Sequence, residues 1–172
     1  MPSAFYFLVM AAAFLLAGAP QVFATERSPL YEVDVLVRQQ EGKLVEGKVR
    51  SHTLLVDQPR HFSGTDSAPT PPETYAFSVG ACLVSALRFV GELENLPVSN
   101  IQVRVQGALD ISKAMGVDMA KRAGFPALSL VIRFDAPWDV KEKKIFVERV
   151  MERCPICDNT INPTTVEIDI KD

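Results

Sequence analysis

Glu73 to Leu96 reads ETYAFSVGACLVSALRFVGELENL. Within it Tyr75, Val79, Cys82, Ala86, Phe89 and Leu93 recur at alternating steps of four and three, which makes one stripe of an α-helix. The other side, with Ala76, Gly80, Leu83, Val84 and Leu87, is apolar as well. A helix that is apolar nearly all round is expected to be buried on both faces. Thr70 or the prolines that follow it supply a start, because proline is tolerated in a first turn. Arg88, Glu92 and Glu94 make the far end wet, Leu96-Pro97 closes it, and the apolar part is read as too short for a membrane span.

Working outward, Tyr31 to Arg38 alternates imperfectly as a strand, Glu41-Gly42 is a turn, and Lys43 to Arg50 is the returning strand. Thr53 to Asp57 is a third short strand, and Gln58 to Pro72, with five prolines and glycines, is a loop. Beyond the helix, Val98 to Leu109 and Ala127 to Phe134 alternate as two longer strands, with Asp110 to Gly124 between them as a loop or helical turn. Asp139 can cap an amphipathic helix over Val140 to Arg153, which Cys154-Pro155 breaks. Thr164 to Ile170 alternates as a last strand. Strands in blocks around few helices predict an α+β domain with an antiparallel sheet. One small sheet cannot cover both faces of the central helix, so the pattern predicts a homodimer built around it.

The bulk composition bounds the function. A chain of 172 residues with 48% apolar and 23% charged side chains has one good core and little room for a second domain. A net charge of -3 argues against a general nucleic-acid or anionic-membrane binder. Met1 to Thr25 holds no charged side chain, and Phe5 to Ala17 is an apolar run of signal-peptide length. Val22-Phe23-Ala24 suits a signal peptidase, so residues 1–24 are expected to be a signal peptide and 25–172 the exported, periplasmic domain, with no stable membrane insertion after cleavage.

Three cysteines are too few for a disulfide scaffold, and an odd number leaves one thiol free or paired to another molecule. Taken alone, Cys82 fits a small buried hydrophobe better than a nucleophile. Cys154-Pro155-Ile156-Cys157 is a C-x-x-C, either a local redox pair or half of a metal site. A metal would need further ligands, and only Cys82, His52 and His61 are on offer, so neither a metal nor a cofactor is expected. The pair follows a predicted helix rather than a strand, which counts against a thioredoxin-like fold.

Two segments together carry a resemblance. Val56-Asp57-Gln58-Pro59, Gly64-Thr65-Asp66, Pro69-Thr70-Pro71-Pro72-Glu73 and Ser78-Val79-Gly80-Ala81-Cys82 resemble the run that leads to the first redox cysteine in the OsmC/Ohr family. Glu152 to Ile161, with Cys154-Pro155-Ile156, is similar to the family's second-cysteine segment. The resemblance implies an intertwined homodimer with two active sites at the subunit interface. It implies a thiol-dependent peroxidase in which Cys82 attacks hydroperoxide and Cys154 resolves the sulfenic acid, with a dithiol as reductant. Glu73 matches an acidic residue of the family's motif, Arg50 is the nearest match to a thiolate-stabilising arginine, and His52 matches a histidine seen in some members.

Geometry constrains these assignments. On a continuous helix Glu73 lies about 13 Å from Cys82 and on the opposite side, so it can serve that thiol only across the dimer or if the helix starts later. A mid-helix thiol among apolar groups has a raised pKa, and a cation such as Arg50 or Arg60 must offset it. Cys157 stands where relatives usually carry another residue; it either shuttles a disulfide outward or is a spare buried thiol. Two other readings compete with the peroxidase: a thiol–disulfide oxidoreductase working through Cys154 and Cys157, and a non-enzymatic domain that binds an apolar ligand.

Overall fold

Residues 30–171 are described by a computed structural model of the chain. Residues 30–34 are exposed and carry no regular structure; all the elements below belong to the unit that begins at Val35. Three short strands come first: β1 (Leu36–Gln39), β2 (Val45–Val49) and β3 (His52–Val56). They pair antiparallel in the order β1-β2-β3, with Val37 opposite Gly47 and Gly47 opposite Leu54. The long helix α1 (Pro71–Leu93) follows, then β4 (Ser99–Gln106) and β5 (Ser129–Asp135), which form a second antiparallel sheet. Helices α2 (Val140–Met151) and α3 (Pro155–Ile161) complete the order. The expected α+β architecture with antiparallel sheets is the observed one.

α1 has well-built ends. Thr70 is the N-cap: its hydroxyl accepts from the Glu73 N–H, and the Glu73 carboxylate accepts from the Thr70 N–H at 2.7 Å, a complete capping box. At the other end Asn95 takes a left-handed conformation (φ 53). Leu96 then donates to the Gly91 carbonyl at 2.8 Å and Asn95 to the Glu92 carbonyl at 3.2 Å, the double bond of a Schellman motif. The helix is long and apolar enough to cross a membrane by length and composition, contrary to the expectation from its sequence, yet it packs into the fold.

It does so on one face. Val79, Leu83, Leu87 and Val90 are buried against β4, α2 and α3, with Phe134, Phe146 and Val150. Gly80 lets α1 approach β4: a Cβ there would stand 3.1 Å from the Val105 side chain. Burying each such leucine or valine contributes about 1.5–3 kcal/mol. The opposite face keeps Phe77 72% exposed, and Phe89 and Leu93 are exposed too. Within one chain, then, α1 is covered on one side only, because β4, α2 and α3 all lie on that side.

Three further expectations are corrected. The first strand starts at Leu36 rather than Tyr31. A short helix, α3, begins where the sequence was read as a break after Cys154. Thr164 to Ile170 forms no strand: Val166, Ile168 and Ile170 are 77%, 82% and 89% exposed. An alternating segment becomes a strand only where a neighbour takes up its backbone hydrogen bonds, and no described strand lies beside this one. The expected signal peptide falls outside the described residues.

A three-thiol candidate site

Cys82 occupies the middle of α1, between the buried Val79 and Leu83, and is half-buried. Cys154 comes from far along the chain, after α2. Two kinds of contact bring it to α1. Leu87 and Val90 pack with Phe146 and Val150 of α2. Glu94, just past the end of α1, forms ion pairs with Arg149 at 2.8 Å and with Arg153 at 3.3 Å. This clamp fixes the last turn of α2, and the chain then turns through Cys154 into α3, itself packed on α1.

Cys154 is the N-cap of α3 and Pro155 its first residue, where a missing N–H costs nothing. The Cys157 N–H donates to Cys154 Sγ at 3.4 Å. Cys154 is 1% and Cys157 3% exposed, so both sulfurs are part of the core that Cys82 packs against. All three are free thiols. Cys82 packs against the core that holds Cys154 and Cys157, so the three thiols form one cluster.

Burial is the largest cause acting on each thiol, and it pushes all three above the ordinary cysteine value. For Cys82 the Ile156 backbone pulls the other way and Cys154 adds to the rise. Burial, the Ile156 backbone and Cys154 are what act on this thiol; no cation among the described residues does. Arg50 lies in the tight β2–β3 turn with φ 52, exposed, and Arg60 lies in an exposed 3-10 turn (Arg60–Phe62). His52 opens β3 and is exposed. Within one chain Glu73 is occupied with its cap: two hydrogen bonds from Thr70 hold its carboxylate below the usual range. It borders a groove with Phe77, Gly80, Ala81 and Val105 on the exposed side of α1. The chain therefore unites Cys82, Cys154 and Cys157 and leaves Glu73, Arg50 and His52 apart. Cys157 is buried as deeply as Cys154.

Sequence reading missed two parts of the site's surroundings. Asp57 is buried, and one of its oxygens accepts from the N–H and hydroxyl of both Thr65 and Ser67, which holds its pKa far down. This folds the loop that leads into Thr70. Next to it, a cleft of about 870 Å³ is lined by Phe62, Pro71, Tyr75, Leu109, Phe125 and Leu128, with Arg122 its one charged residue among those described. The Tyr75 hydroxyl donates to Thr160 at 3.0 Å, tying the cleft's wall on α1 to α3, the same two helices that carry the thiols. The scatter of these residues along the chain hid the cleft. Asp57 did carry a signal, since an aspartate before a Pro/Gly-rich loop can accept from that loop's amides.

The sequence matches the family model described as OsmC-like protein over residues 64–169. Solved structures with the same fold include an OsmC-like protein from Mycoplasma pneumoniae (16% identity, TM-score 0.66, covering 77% of this chain and 89% of that one). An organic hydroperoxide resistance protein OsmC from Legionella pneumophila is 19% identical, with TM-score 0.57 and coverage of 79% and 93%. One from Bacillus subtilis is 18% identical, with TM-score 0.52 and coverage of 77% and 93%. Among curated proteins none matches the sequence.

Proposed function

On the premise that this chain belongs to the OsmC-like family, we propose that it is an exported, thiol-dependent peroxidase. The observation that carries the reading is the meeting of Cys82 and Cys154, remote in sequence, in one apolar nest on α1 and α3, the two helices that a hydrogen bond from Tyr75 to Thr160 also joins at the wall of the cleft. Cys82 gives up its proton, the thiolate attacks the distal peroxide oxygen, the O–O bond breaks, and the alkoxide takes up that proton and leaves as an alcohol. The sulfenic acid left on Cys82 is attacked by Cys154, which closes a disulfide and releases water. An external dithiol then reduces that disulfide. The apolar lining of the cleft favours organic hydroperoxides over hydrogen peroxide.

Burial opposes the first step, since the thiolate is the nucleophile. A homodimer resolves this. The exposed side of α1, the exposed apolar side chains of β1 and β3, and the unpaired Val166 to Ile170 segment all supply surface for a second copy. That copy would bring the cation, with Arg50 as the candidate, and Glu73 to a shared site. Export, with loss of residues 1–24, places the protein among periplasmic rather than cytosolic reductants.

The test is hydroperoxide turnover with a dithiol donor. Cys82→Ser is expected to reduce it to the uncatalysed background; unchanged turnover in that variant removes the proposal. A second reading draws on the C-x-x-C that opens α3: a thiol–disulfide oxidoreductase. It requires dithiol oxidation to vanish in Cys157→Ser and to survive in Cys82→Ser.

A further inference from the structure

Each of the three described α-helices starts with the same spacing of paired side chains. α1 begins Thr70-x-x-Glu73 and α2 begins Asp139-x-x-Glu142, each a reciprocal capping box. In both, the cap side chain accepts from the N–H three residues on, at 3.4 and 2.8 Å, and that residue's carboxylate reaches back to the cap. α3 begins Cys154-x-x-Cys157, and the first half of the box is present there too, with Cys157 N–H donating to Cys154 Sγ at 3.4 Å. Two residues so placed turn their side chains toward each other on one rigid turn. Here both side chains end in sulfur. Cys82 reaches the same Cys154 from another helix.

From this arrangement we infer that Cys157 is a third redox residue, which takes Cys154 away from Cys82 after each peroxide is reduced. The inference rests on the peroxidase reading and extends it. Once the Cys82–Cys154 disulfide exists, Cys157 Sγ attacks Cys154 Sγ. The new bond is Cys154–Cys157, the broken one Cys82–Cys154, and Cys82 leaves as a thiol carrying the proton that Cys157 gives up. No net oxidation occurs in this exchange: one disulfide replaces another. Sharing one helical turn gives Cys157 a standing advantage of position over a thiol on a separate helix.

The consequence is a change in stoichiometry. With the oxidising equivalents of the first hydroperoxide stored in Cys154–Cys157, the freed Cys82 reduces a second hydroperoxide to an alcohol and stays as a sulfenic acid. Each chain then takes up two equivalents before it needs an external dithiol. Without Cys157 it takes up one.

The experiment uses the reduced full chain, titrated with cumene hydroperoxide and mapped by mass spectrometry without reduction. Cys154 and Cys157 share one tryptic peptide and Cys82 lies in another, so the two disulfides are told apart by whether peptides are joined. The expected results are a single peptide two hydrogens lighter after one equivalent, Cys82 still open to alkylation, and consumption that stops at two equivalents with dimedone bound at Cys82. In Cys157→Ser, consumption stops at one equivalent with the two peptides joined. Joined peptides with an alkylatable Cys157 in the unmodified protein, and uptake of one equivalent only, would overturn the relay and leave the peroxidase intact. That measurement needs no variant to fold. No uptake of hydroperoxide at all would overturn both.

Discussion

The two ends of α1's neighbourhood obey different rules. On the side of β4, α2 and α3 the chain completes its own core: Leu83, Leu87, Val90 and Val150 lose essentially all contact with water. On the other side, and across β1 to β3, the same kinds of side chain are left open, among them Phe77, Val37, Leu54 and Leu55. The first region explains why the thiols sit where they do. The second is where the proposed second copy would act, since Arg50 lies on the open β2–β3 turn and Glu73 on the exposed side of α1. A self-sufficient half beside an open one teaches that a chain can complete its core without covering all of its apolar surface.

That contrast can be broken or sharpened by experiment. The largest effect is expected from the closed half. Leu83→Ala removes a fully buried side chain at the level of Cys82 and should cost about 2–5 kcal/mol in denaturant unfolding. A loss under about 1 kcal/mol would mean that this core is looser than described.

Next comes alkaline pH. The three thiols have pKa values raised in the folded state, so their contribution is complete below the unfolded value near 8.5 and is lost as pH rises through the folded values. The reduced protein should therefore lose thermal stability as pH rises above about 8.5, and a variant with all three cysteines replaced by alanine should not show that dependence. On alkylation the same sign holds: Cys82 should react slowly at neutral pH when dilution separates subunits, and faster at concentrations that favour a dimer. Equal rates at both concentrations would remove the proposed cation from the second copy.

A smaller change is expected at α2. Asp139→Ala deletes one half of a capping box and should cost about 1 kcal/mol, read from a thermal melt. The smallest is expected in the open half. Leu55→Ser should change the stability of a single chain by less than about 0.5 kcal/mol. Its effect should show instead in molar mass by light scattering, as a shift from dimer toward monomer. A dimer of unchanged affinity would remove β3 from the interface.

What the sequence disclosed follows the same division. α1 was legible because its stripe, its cap at Thr70 and its stop before Pro97 are local, and Asp139 marked α2 in the same way. Within one chain α1 is buried on one face only, because apolar pattern states what a surface wants and not which molecule supplies it. The last strand failed for that reason as well. α3 was missed because Cys154-Pro155 was taken only as an ending, although a proline after a capping residue is also a beginning. The meeting of Cys82 and Cys154 could not come from spacing, since helix packing and the Glu94 clamp bring it about. It came from resemblance, which also proposed Glu73 and Arg50 without saying in which copy of the chain they act.

One loop carries more than its irregular path suggests. Asp57 binds Thr65 and Ser67 through a single oxygen, the Asp57 N–H donates to the Pro69 carbonyl at 3.1 Å, and Gly64 lies so close to the Gln58 carbonyl that any side chain there would collide with it. Such cross-bracing leaves no slack between the end of β3 and the first turn of α1. The stretch works as a stiff strut rather than a tether. A partner that pressed on the open sheet would pass its push straight to the end of α1 that frames the cleft.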